Sequence, residues 1–147
     1  MWIERRHFLG GGLAAVAIGS AIGLDAIGPV PRPEPLSVQF SRGTSLAQGE
    51  DARVAAFAAR HLAEPRLQFH ITGHTGARGD TEANKALSLQ RAEMIAGLLR
   101  DAGVDPSSIL AVQGVGSADP LAKDSDESDA AHQRRMARAI ITTVVRK

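Results

Sequence analysis

Between Thr81 and Ala102 the chain carries a helical pattern with a charge set into its apolar side. At about 100° per residue, Leu87, Met94, Ile95 and Leu98 fall on one arc. Arg91 falls in the middle of that arc, and Asn84 lies close beside it. A guanidinium does not enter a core unaccompanied; it requires a carboxylate or another fixed acceptor. Any fold for this chain must bring such a group to Arg91, or leave the place for a ligand that carries one.

At 147 residues with 44% hydrophobic content, the chain is long enough to bury a core without staples, and wholesale disorder is excluded. A net charge of +1 and an aromatic content of 3%, with no tyrosine, argue against a nucleic-acid partner. Cysteine is absent, which removes disulfides, thiolate nucleophiles and cysteine-based metal sites together. It also removes the thiol on which a bacterial lipoprotein carries its lipid.

The chain opens MWIERRHFLGGGLAAVAIGSAIGLDA. Arg5 and Arg6 precede an uncharged run from Phe8 to Leu24, long for an ordinary signal core and short for a spanning helix of about 20 apolar residues. The RRHFLGG string, with Phe8 two residues after the second arginine and then Leu9, resembles a bacterial twin-arginine signal. That resemblance implies export in the folded state. Residues 1–26 are therefore expected to be a twin-arginine-like signal; the other reading is an uncleaved inner-membrane anchor through residues 8–24. Either places the remainder outside the cytoplasm. Residues 27–35 are proline-rich and read as a short stiff linker.

The body, residues 36–147, alternates strand and helix signals. Leu36–Phe40 reads as a first strand, and Gly49–Leu62 as an amphipathic helix stopped by Pro65. Leu67–Thr72 alternates into a second strand, followed by the GHTGARGD turn and the long helix, for which Asp80 is placed as N-cap. Gly103 stops that helix; Ile109–Gln113 forms a third strand. Residues 116–131 read as a solvated acidic loop with a short helix beginning near Ser128, and Thr142–Val145, extended back to Met136, as the last strand. The expected fold class is α+β, a β-α-β-α-β-(α)-β two-layer sandwich with helices packed on one face of a mixed four-stranded sheet.

Several separated motifs stand in order along this body: Gly73-His74-Thr75, then Asn84, Leu87-Ser88, Arg91-Ala92, then Gly114, Gly116, Pro120, and finally Arg134-Arg135. Their spacing and order resemble the OmpA-like C-terminal domain family over about residues 36–146. The resemblance implies non-covalent binding of bacterial peptidoglycan through the diaminopimelate of the stem peptide. It assigns the arginine at position 91 to a ligand carboxylate, and an aspartate directly after the GHT motif to the ligand ammonium. Here that aspartate position is Gly76, and Gln133 stands where the family has asparagine. Losing a hydrogen bond to a charged group costs roughly 1.5–3 kcal/mol, about ten- to a hundredfold in affinity.

The expected ligand-binding residues are thus Arg91, Asn84, Thr75 and Gly76, with the periplasm or cell envelope as the location. Each has a structural alternative: an ion pair for Arg91, for instance with Asp80, a bridge from turn to helix for Asn84, and a turn-capping hydroxyl for Thr75. His70 and His74 share one face of an extended segment but lack a third metal ligand, and no cofactor is expected. Ser88 has no His–Asp partner placed by sequence, so no catalytic set emerges and an enzyme is not expected. The competing reading is a degenerate OmpA-like scaffold for periplasmic protein–protein interaction, wall binding having been lost with the carboxylate at Gly76.

Overall fold

Alternation between Leu67 and Thr72 becomes a strand at the centre of the molecule. In the computed structural model, which describes residues 32–146, β3 spans Leu67–Gly73, with Leu67, Phe69 and Ile71 buried and Gln68, His70 and Thr72 half-buried. The other elements are β1 (Leu36–Arg42), β2 (Ser45–Leu46), α1 (Glu50–Ala63), α2 (Thr81–Asp101), a single 3-10 turn at Pro106–Ser108, β4 (Ile109–Gly114), α3 (Asp129–Met136) and β5 (Arg138–Val145). The sheet order is β2-β1-β5-β3-β4. β3 and β4 run parallel, joined by the α2 crossover that a parallel pair requires, and the remaining pairs are antiparallel.

The sandwich is as expected, with one strand more than the four anticipated. The fifth, β2, is two residues long. It exists because Gly43 takes a positive φ of 52°, turning the chain back so that Leu46 pairs with Phe40. At the far end, the last strand does not reach back to Met136, which closes α3 instead; β5 begins at Arg138. Ser128 caps α3 by accepting from the Ala131 amide, and Asp80 caps α2 by accepting from the Ala83 amide at 2.8 Å.

The core lies between α1, α2 and one sheet face: Val54 and Phe57 from α1, Ile95 and Leu99 from α2, with Val38, Phe40, Phe69, Ile71 and Ile141 below them. Full burial of aliphatic side chains such as Ile95 and Leu99 contributes about 1.5–3 kcal/mol each. The buried face of α2 is Ser88, Arg91, Ala92, Ile95, Ala96 and Leu99. Relative to the expected arc of Leu87, Met94, Ile95 and Leu98, the helix is turned by roughly a quarter of a revolution, so Arg91 sits at the edge of the buried face and not at its middle.

The reason is close packing. A Cβ on Gly73 would collide with the Ser88 carbonyl, and one on Gly114 with the Leu89 amide. These two glycines, at the ends of β3 and β4, let the small residues of α2 lie directly on the sheet. Large residues are thereby pushed to the flanks of the helix.

Residues 1–31 lie outside the described part, and with them the signal or anchor and most of the linker. Among the described residues no helix is long and apolar enough to cross a membrane.

Candidate functional site

Parallel β3 and β4 and antiparallel β1 all finish at one end of the sheet, where β5 begins. The register fixes this: Gly73 is opposite both Ala139 and Gly114, and Gln39 is opposite Arg138. Three loops and α3 meet over that end. The loop after β3 is tied to the loop after β4 by the Thr75 amide donating to the Gly116 carbonyl at 2.9 Å. Ser88 on α2 then accepts from the Gly116 amide at 2.8 Å and donates to the Lys85 carbonyl at 2.7 Å. Serine at position 88 is therefore a structural pin between helix and loop.

Arg91 reaches this end from α2. Its side chain is 4% exposed. Nε donates to the Gly43 carbonyl and Nη1 to the His74 carbonyl, each at 2.7 Å, and the guanidinium carbon stands 5.1 Å from the centroid of the Phe40 ring. Among the described residues no carboxylate lies within 4.0 Å of it. Burial lowers its pKa from the ordinary arginine value, yet a guanidinium stays charged. Among the described residues Arg91 has no ion-pair partner, and Asp80, considered for that role, is engaged in capping. Two backbone carbonyls and a ring face solvate the charge without neutralising it.

The other expected residues lie around the same loop. The Thr75 side chain is 2% exposed and among the described residues its hydroxyl has no hydrogen-bond partner, so it does not cap the turn. Asn84 donates from Nδ2 to the Arg78 carbonyl at 3.0 Å, the bridge from turn to helix. Gly76 has no positive φ, so its backbone does not demand glycine. What fills its missing side chain is Gln133: a Cβ at position 76 would overlap the Gln133 Oε1. Gln133 belongs to α3 and is half-buried. Between β1 and α3 runs a groove of about 600 Å³ lined by Gln39, Ser41, Glu127 and Arg134.

A second polar cluster, which joins His74 of the GHT motif to two residues outside any motif, lies under the loop after β4. Arg138 is 3% exposed; it donates from Nη2 to the Asp119 carbonyl at 3.2 Å and stands 3.6 Å from the Asp119 carboxylate. His74 is buried with both ring nitrogens unpartnered, its Nδ1 being 3.9 Å from the same carboxylate. Arg138 Nε is also buried without a partner. Burial lowers the His74 pKa below the usual histidine value, the nearby Arg138 charge pushes it the same way, and Asp119 opposes. His70 stands on the sheet face away from the core, and among the described residues no three metal-capable side chains gather around either histidine. The alternation of β5, which puts Arg138 opposite the core face, is the one signal that could have marked it.

The acidic loop is not simply solvated. Glu127 accepts from Arg135 Nε at 2.8 Å and Nη2 at 2.7 Å, and this pairing pulls its carboxyl down to about 2. Arg135 also donates to the Ala122 carbonyl. The second arginine of the Arg134-Arg135 pair thus clamps the loop, while Arg134 is exposed on the groove.

Residues 39–134 match the model of the OmpA family. The probable lipoprotein YiaD of Escherichia coli strain K12 is 33% identical over 103 residues, covering 69% of this chain and 47% of that protein. The outer-membrane lipoprotein YfiB of Pseudomonas aeruginosa is 36% identical over 70 residues, covering 48% of this chain and 41% of that one. The chain thus spans about half the length of these curated relatives. The crystal structure of the peptidoglycan-associated lipoprotein from Burkholderia pseudomallei superimposes with a TM-score of 0.63 at 25% identity, over 74% of this chain and 89% of that one. The periplasmic domain of Helicobacter pylori MotB superimposes with a TM-score of 0.60 at 18% identity, over 80% of this chain and 79% of that one, a likeness of fold alone.

Proposed function

The chain belongs to the OmpA family, and on that footing we propose that it is a non-enzymatic, exported peptidoglycan-binding module of the bacterial cell envelope. Arg91 takes a carboxylate of the stem peptide, with Thr75, Gly76 and Asn84 around it. The observation that carries this reading is the Arg91 guanidinium: buried, charged, and with no carboxylate within 4.0 Å among the described residues. Two of its five N–H donors go to backbone carbonyls, which fixes the fork and leaves Nη2 to an incoming anion. The unpartnered Thr75 hydroxyl lies beside the same loop. One relative with a solved structure is named for its association with peptidoglycan. Export by a twin-arginine route, with residues 8–24 either removed or kept as an inner-membrane anchor, belongs to the same proposal and rests on the leader sequence.

A second reading has its own support. The Asn84 amide and two donors of Arg91 are engaged within the chain, and position 76 offers no carboxylate. Those features suit an OmpA-like scaffold that serves periplasmic protein–protein interaction without holding the wall.

Co-sedimentation of the full chain with purified sacculi separates the two. Wall binding gives saturable retention that falls about tenfold in Arg91→Lys, which keeps the charge but cannot serve two carbonyls and a ligand carboxylate together. Equal retention of the two proteins counts against the Arg91 pocket, and no retention of the wild type supports the scaffold.

A further inference from the structure

The amide of Gln133 occupies the space that a side chain at position 76 would take, and none of the chain's described hydrogen bonds uses it. Gln133 is half-buried, and its amide is not closed off from solvent. A neutral group that both donates and accepts thus stands beside a loop whose His74 carbonyl is held by the Arg91 cation. Of the acids nearest in sequence, Asp80 faces the Ala83 amide as a cap, and Glu127 is held by Arg135. The Asp119 carboxylate is turned to Arg138 and His74, 3.6 and 3.9 Å away, so an ammonium entering beside Gln133 meets an amide and a guanidinium and must compete with Arg138 for that exposed acid. A secondary amide N–H would meet an acceptor of matching polarity at no electrostatic penalty.

Resting on the peptidoglycan reading above, we propose that Gln133 is a specificity-determining residue which makes the site prefer stem peptides whose diamino-acid side-chain amine is acylated, as it is in a cross-link, over those with the amine free. The Gln133 Oε1 accepts from the amide N–H of the acylated amine, and Arg91 holds the neighbouring carboxylate. Gly76 is part of the same device, because its missing side chain makes room for the longer glutamine. Position 76 and position 133 are therefore coupled. Gly76→Asp alone sets a carboxylate against the Gln133 amide, which must swing away first; Gly76→Asp with Gln133→Asn frees the space.

The test titrates the full chain with two soluble probes at neutral pH: a disaccharide tetrapeptide carrying diaminopimelate with a free side-chain amine, and the same muropeptide with that amine acetylated. The wild type is expected to bind the acetylated probe about tenfold more tightly. Gln133→Glu, and separately the Gly76→Asp/Gln133→Asn pair, are expected to reverse the order, with unchanged thermal transitions showing that both remain folded. Measurable wild-type binding with equal affinity for the probes, or with preference for the free amine, overturns the role of Gln133 and leaves wall binding standing. Failure of the wild type to bind either probe overturns the peptidoglycan reading itself, and this inference with it.

Discussion

Two arginines are buried to nearly the same depth in this protein, yet their surroundings differ. Arg91 is received by two well-placed backbone carbonyls and the face of Phe40. Arg138 is received by one carbonyl, the Met136 sulfur at 3.7 Å and a carboxylate whose own side chain is 71% exposed, and its Nε is left without a partner. Backbone acceptors are fixed by the strands that carry them, whereas Asp119 trades its pairing against hydration. The contrast separates a cation that the fold was built to present from one that the fold tolerates. It also makes the consequences of removing each charge opposite in sign.

The largest effect is expected from Arg91→Met. It deletes two charge-assisted hydrogen bonds and strands the Gly43 and His74 carbonyls, for a loss of about 3–5 kcal/mol in urea unfolding. A loss below about 1 kcal/mol would mean that the carbonyls are readily hydrated and the cage is not structural. Arg138→Met sharpens the contrast. Replacing an incompletely paired buried charge by an apolar side chain is expected to leave stability unchanged or raise it by up to about 2 kcal/mol. A clear loss in the same measurement would show that Arg138 is as well served as Arg91.

A smaller effect concerns His74, which faces Asp119 and Arg138 under the same loop. Its folded pKa is lowered, so the neutral ring is the folded form. The contribution is fully present above the unfolded value of about 6.5 and is lost as pH falls through the lower folded value. Unfolding midpoints measured from pH 8 to pH 5 should therefore decline, and the decline should be shallower in His74→Gln. The smallest effect is local. Glu127 is held down to about 2 by Arg135, so the loop clamp is intact above about pH 4.5 and is released as pH falls toward 2. Amide exchange in residues 121–128 should quicken over that window in the wild type and be pH-insensitive, apart from intrinsic exchange, in Glu127→Gln.

Much of the frame is legible from residue order. Alternation in Leu67–Thr72, the Asp80 and Ser128 caps and the Gly103 stop are local signals, and β3, α2 and α3 follow from them. The two-residue β2 is not legible, because it depends on the backbone of Gly43 and not on any pattern of side chains. Nor is the rotation of α2, which is set by Gly73 and Gly114, two residues on different strands whose shared purpose appears only when the strands pair. At the site, periodicity marks Arg91 as a charge near the core, while its carbonyl partners come from segments remote in sequence. Gln133 against Gly76 is hidden for the same reason: the two are far apart in sequence, and only the fold brings the glutamine side chain into the space beside the glycine. Arg138 carries no signal beyond its place in an alternating strand.

Two absent methyl groups have a further consequence. With nothing but hydrogen between strand ends and helix backbone, the spacing of α2 above β3 and β4 cannot be tuned by resizing a side chain. Any enlargement there would lift the whole helix and carry the Arg91 fork off its carbonyls. The bearing surface of this protein is thus frozen, and room for change in shape lies along the rim, where the Gln133 side chain fills the space beside Gly76.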